Sequence, residues 1–151
     1  DLKVSFQSKL YSTESSAKVF VLTSEENAQS RKLHDLPQVE LIGVPFENEK
    51  EPILDLKEGL KSLLQKGVNT VLCEGGGKLA GLLIERELVD EILWMIAPKI
   101  LNDTLGRLAF DSPLSKQLDQ SAGLKRVSVS LLGNDVAYYA LFEKSEKLLL
   151  G

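Results

Sequence analysis

"VLCEGGGKLAGLL", residues 71–83, places three consecutive glycines between an apolar run and an apolar, helix-like stretch. Glycine weakens a helix or strand interior by roughly 0.5–1 kcal/mol relative to alanine, so a triplet at such a junction needs a cause. The run "VNTVLCE" (68–74) reads as a buried strand, and "KLAGLLIERE" (78–87) as a helix with Leu79, Leu82 and Leu83 on one face. Where a parallel strand gives way to a helix, unpaired N–H groups and the helix dipole favour anions, phosphate above all. Ligands of open α/β sheets bind at that edge. Gly75, Gly76 and Gly77 would let a phosphate reach the backbone. The competing reading is a tight turn that needs positive φ, which one glycine would satisfy.

The stretch also fits G-x-G-x-x-A, through Gly75, Gly77 and Ala80, close to a dinucleotide-binding fingerprint. That fingerprint expects an acidic residue at the end of the next strand. Here the strand ends in apolar "WMIAPK", which weakens the match. Glu74 ends the apolar run beside the anion site. A carboxylate there repels phosphate, so it either points to a hydroxyl or amine of a second ligand or is a solvated strand end.

Upstream, "AKVFVLTS" (17–24) reads as a strand. Ser24 caps a helix over 24–36 that carries Glu25 and Glu26 in its first turn. "QVELIGVP" (38–45) is a second strand, closed by Pro45. "ILDLKEGLKSLLQKG" (53–67) is the clearest helix, with Leu56, Leu60, Leu63 and Leu64 on one face, Asp55 and Glu58 as a capping pair and Gly67 at its end. Downstream, "VDEILWMIAPKI" (89–100) is a strand, 101–123 is irregular, and "LKRVSVSLLGNDVAYYALFEK" (124–144) is a β-hairpin turning at "GND". Strands alternating with helices predict an α/β fold in three layers, a mostly parallel sheet with a C-terminal antiparallel hairpin. The sparsely alternating strands 17–23 and 69–73 suit a sheet covered on both faces.

The 151 residues suit one domain, with 43% hydrophobic and 26% charged residues. A net charge of −4 argues against nucleic acid or an acidic membrane as a partner. One cysteine, Cys73, rules out an internal disulfide and points to an intracellular, cytoplasmic protein. One histidine, His34, excludes a multi-histidine metal centre, and no metal is expected. No apolar run approaches the roughly 18 residues of a membrane span. His34 reads as solvated, Cys73 as a small buried hydrophobe, Trp94 as core or interface, Lys99 as a solvated strand end, and Leu148–Leu150 as packed or frayed.

The stretch "VLCEGGGKLAGLLIERELVDEILWMIAPKIL" (71–101) resembles the reductase domain of bacterial bifunctional riboflavin-biosynthesis deaminase-reductases, a dihydrofolate-reductase-like family. There a strand ends in Glu-Gly-Gly, a helix follows, then "lvDE", an apolar strand and "APK-hydrophobic". "KVFVLTSEE" and the closing hairpin are similar too. The resemblance implies NADPH-dependent reduction of 5-amino-6-(5-phosphoribosylamino)uracil to the ribityl product. By position, Glu74 matches a substrate-contacting glutamate. Gly76, Gly77, Lys78, Leu79, Ala80, Gly81 and Leu82 match the cofactor loop and helix start, with Gly75 beside them. Thr23 and Ser24 match a strand end near the adenosine part of the cofactor. The family's Gly-Gly after "APK-hydrophobic" is replaced by Asn102-Asp103. The resemblance further implies that 1–151 is a single reductase-like domain lacking its N-terminal segment. It also implies a homodimer and a deaminase domain ahead of this one. Two other functions fit the same pattern: a non-catalytic dinucleotide-binding or assembly module, and a related pterin or pyrimidine reductase. The sequence upstream of Asp1 discriminates the enzyme from the module.

Overall fold

The computed structural model describes residues 9–12, 17–29, 36, 38–48, 52–100, 102, 105–111 and 121–145. His34, Asp103 and Leu148–Leu150 lie outside them. The chain divides into two compact units, Asp1–Val71 and Leu72–Gly151. Among the described residues no helix is long and apolar enough to cross a membrane.

In the first unit, α1 (Lys9–Ser12) precedes β1 (Val19–Ser24), α2 (Glu25–Ala28), β2 (Val39–Val44) and α3 (Leu56–Gln65). β1 and β2 pair in parallel, from Val19 opposite Val39 to Ser24 opposite Val44. Ile42 and Val44 are buried, as are Thr23 and Tyr11. The α3 helix meets this pair at Gly59, where a Cβ would stand 2.5 Å from Leu22 Cδ2. Asp55 caps α3 by accepting the Glu58 N–H at 3.0 Å. Gly67, at φ +86°, closes the helix. Its N–H bonds Leu64 O at 2.9 Å and Val68 N–H bonds Leu63 O at 3.0 Å, the two bonds of a Schellman ending. Of the helix expected over 24–36, the described part is the turn Glu25–Ala28 with Gln29 at its C-cap, and residues 30–35 lie outside the described residues.

In the second unit, α4 (Gly76–Glu85) is followed by β3 (Glu91–Ile96), β4 (Leu124–Leu132) and β5 (Asp135–Phe142). These strands form an antiparallel sheet in the order β3-β5-β4. The hairpin turns at Gly133-Asn134, where only Gly133 has positive φ, as a II′ turn requires. Arg126, at φ +49°, sits where the β4 register shifts between Lys125 and Ser128. Ala137, Ala140 and Leu141 of β5 are buried, since β5 is central.

Residues 68–74 do not form the expected strand. They carry no ladder among the described residues, and Val71 and Leu72 are 52% and 81% exposed. An apolar run records a capacity for burial. A central strand also needs neighbours to accept its N–H and C=O groups on both edges. Parallel pairing among the described residues is therefore confined to β1 and β2.

Candidate functional site

The α4 helix begins at the glycines. Gly75 is its N-cap, and no side chain caps it. The first N–H groups of a helix lack intrahelical acceptors, so this end offers donors and the positive pole of the dipole. Each glycine of the triplet has its own structural reason. A Cβ on Gly75 would stand 2.5 Å from Leu79 Cδ2, because the Leu79 side chain leans back over the cap. Gly76 has φ +77°, and nothing lies within 4 Å of its Cβ position. Gly77 is packed against backbone: its Cβ would fall 2.2 Å from Leu108 O and 3.2 Å from Ala109 O. The triplet thus does not by itself require a phosphate. The open approach is at Gly76, beside exposed Lys78.

Gly81 repeats the contact one turn on. Its Cβ would stand 2.4 Å from Asp111 O, and Asp111 N–H bonds Gly77 O at 3.0 Å. Residues 108–111 therefore lie along one face of α4. Ala80 and Leu82 are half-buried within the helix. Glu74, just before the cap, is exposed. It is thus open to solvent and available to a ligand, in a segment that is not a strand. Cys73 is exposed rather than buried, because its segment is not in a sheet.

In the first unit the carboxyl ends of β1 and β2 border an open cavity of about 390 Å³, lined in part by Ser24, Glu25, Glu26, Phe46 and Glu47. The Ser24 Oγ accepts the Asn27 N–H at 3.3 Å as a helix cap, which leaves its own proton to donate. Thr23 is only 6% exposed. Thus Ser24, but not Thr23, lines the cavity.

The acids of "VDE" have structural work. Asp90 accepts the Ser145 hydroxyl at 2.8 Å, and its carbonyl accepts Phe142 N–H at 2.9 Å. Glu91 accepts the Tyr139 hydroxyl at 2.7 Å, a bond that raises the Tyr139 pKa by favouring the protonated phenol. Lys99 is exposed, as expected. Asn102 has φ +48°, a conformation that asparagine tolerates better than most residues. Trp94, 42% exposed, meets Phe110 edge to face, with centroids 5.4 Å apart and planes at 73°. Phe110 and the 108–111 contact were missed in the sequence. The available signal was the four-residue spacing of Gly77 and Gly81, which puts both on one helix face.

The family model for the RibD C-terminal domain matches residues 1–138. The chain belongs to the RibD C-terminal domain family. It is 41% identical over 64 residues to the riboflavin biosynthesis protein RibD of Haemophilus influenzae, covering 42% of this chain and 17% of that protein. It is 27% identical over 141 residues to the RibD of Aquifex aeolicus, covering 92% and 36%. Among solved structures, the Saccharomyces cerevisiae riboflavin biosynthesis reductase Rib7 aligns with a TM-score of 0.64 at 20% identity, over 83% of this chain and 52% of that one. RibD of Acinetobacter baumannii aligns with a TM-score of 0.61 at 22% identity, over 82% and 31%. These likenesses establish the dihydrofolate-reductase-like α/β fold that the sequence implied. The chain spans about a third or less of the curated RibD relatives named here. Among the described residues, Glu74–Leu82 combines a helix start without a side-chain cap, an open glycine and an exposed carboxylate.

Proposed function

We propose that this chain is the reductase part of a riboflavin-biosynthesis enzyme that reduces 5-amino-6-(5-phosphoribosylamino)uracil with NADPH. The observation that carries the proposal is the uncapped start of α4 with open space at Gly76. Those features fit a pyrophosphate, which needs N–H donors and close backbone approach. When bound, NADPH supplies the hydride that reduces the ribosyl C1′ and leaves a ribityl chain. The residues of this chain bind and orient. Gly76, Gly77 and Lys78 donate backbone N–H groups to the pyrophosphate, and the Lys78 ammonium adds charge. Leu79, Ala80 and Leu82 continue the helix that fixes those donors. Glu74 accepts a hydrogen bond from a hydroxyl or amine of the substrate. Ser24 donates to the adenosine part of the cofactor. A deaminase domain ahead of this one, a homodimeric state and a cytoplasmic location belong to the same proposal.

One observation favours a second reading, in which the dinucleotide is NADH. Among the described residues, the lining of the cavity beside Ser24 carries Glu25 and Glu26 and no Lys or Arg. Carboxylates suit the hydroxyls of a ribose and oppose a 2′-phosphate. Assaying the full gene product with the aminouracil substrate and each cofactor decides. A kcat/KM at least tenfold higher with NADPH supports the first reading. A preference for NADH selects the second, and turnover with neither cofactor overturns both.

A further inference from the structure

We propose that residues 105–111 form a strap that holds the glycine-rich start of α4 in its cofactor-binding geometry, with Phe110 as the positioning residue. This rests on the cofactor reading of α4 given above. Four contacts carry it. Leu108 O lies where a Cβ of Gly77 would stand, and Asp111 O where a Cβ of Gly81 would stand, at 2.2 and 2.4 Å. Real Cβ contacts are not made below about 3.0 Å, and both obstacles are backbone, so no side-chain rotation relieves them. The Asp111 N–H then bonds Gly77 O at 3.0 Å, which pins the strap to the first turn of α4. At its other side the strap is held through Phe110, whose ring meets Trp94 of β3. Gly77 and Gly81 are therefore seats for the strap, while Gly76 faces open space. The chain from Trp94 through Phe110 and Asp111 to Gly77 ends one residue from that open glycine. A shift of the strap shifts the donors at the start of α4.

Phe110→Ala releases the strap without altering α4. Gly81→Ala displaces it from the opposite side, through the collision with Asp111, while alanine favours the helix itself. Trp94 is the sole tryptophan of the 151 residues, so its emission reports the strap in this chain. NADPH affinity and steady-state kinetics are measured on the full gene product. The expected result is red-shifted Trp94 emission in Phe110→Ala. NADPH Kd and KM should rise at least tenfold in both variants, with kcat at saturation within about twofold of wild type and Phe110→Tyr restoring the affinity. A shifted emission with unchanged Kd overturns the positioning role alone, as does unchanged emission in Phe110→Ala. Loss of affinity in Phe110→Ala but not in Gly81→Ala assigns the effect to the aromatic pair and also overturns the strap. A wild-type protein that binds no nicotinamide dinucleotide overturns the cofactor reading itself, and the strap's role with it. Circular dichroism separates any variant that has lost its fold, and the other variant then decides.

Discussion

Gly67 and Gly76 both have positive φ, +86° and +77°, and neither has an atom within 4 Å of its Cβ position. They differ in place: one ends α3, the other begins α4. This makes them a matched pair for separating strain from ligand binding. Valine at either site meets the strain of a positive φ, about 1–2 kcal/mol. Gly67→Val is expected to lower stability and leave NADPH affinity intact. Gly76→Val is expected to lower stability similarly and also to weaken NADPH by about tenfold or more, the equivalent of about 1.4 kcal/mol of lost contact. Thermal melts and cofactor titration of both variants check this, and equal affinities would leave Gly76 only a turn residue. Glu74→Gln is expected to reduce turnover more than NADPH binding, since a charged hydrogen bond to substrate is worth about 1.5–3 kcal/mol. Comparing kcat/KM with the cofactor Kd tests it, and parallel losses would remove Glu74 from the substrate site. The sequence marked both residues, but not the reasons for their neighbours. Three adjacent glycines look alike on the page, and only packing shows that one lies under Leu79, one is open and one seats the Leu108 carbonyl.

At the scale of the element, local chemistry was the legible part. The α3 helix was readable end to end because Asp55 and Gly67 act on their own backbone neighbours. The α4 helix ends in the same way, with Glu87 N–H on Ile84 O at 3.0 Å and Leu88 N–H on Leu83 O at 2.9 Å. Its left-handed residue is Glu87, at φ +55°, where glycine is usual. Glu87→Gly is therefore expected to stabilise the protein by about 1 kcal/mol through relief of that strain, raising Tm by about 2–4 °C. Lys144 Nζ bonds the Glu87 carbonyl, a backbone group that the substitution retains. Calorimetry of the variant is the check, and a fall in Tm would show that the glutamate side chain contributes more than its backbone costs. The strand expected over 68–74 failed for the opposite reason: its existence depends on partners distant in the chain. The hairpin of β4 and β5 was legible because a two-residue glycine turn sets its register locally. The strap over α4 was not, since backbone packed on glycine leaves no periodic pattern.

At the scale of the whole molecule, the alternation of elements pointed to an α/β fold and the resemblance of 71–101 to its dihydrofolate-reductase-like form, while the completeness of the site is a separate matter. Reduction of a phosphoribosyl substrate by a dinucleotide brings two sets of phosphates to one place. The candidate residues Glu74–Leu82 contain one cation, Lys78, and one anion, Glu74. That is one basic group for the pyrophosphate and none to spare for the phosphate of the substrate. Holding two reactants in register is worth up to roughly 7–11 kcal/mol of a barrier, and a site that grips only one of them forgoes it. The chain spans 36% of the Aquifex aeolicus relative and 52% of the aligned Rib7 chain, so the longer proteins have residues with which to supply the second grip. Residues 1–151 alone are therefore expected to show no NADPH oxidation with the aminouracil substrate. The full gene product is expected to turn over. Assaying the two side by side tests this. Robust turnover by the 151-residue chain would mean that the substrate grip lies within these residues, and that the cation it needs is one other than Lys78.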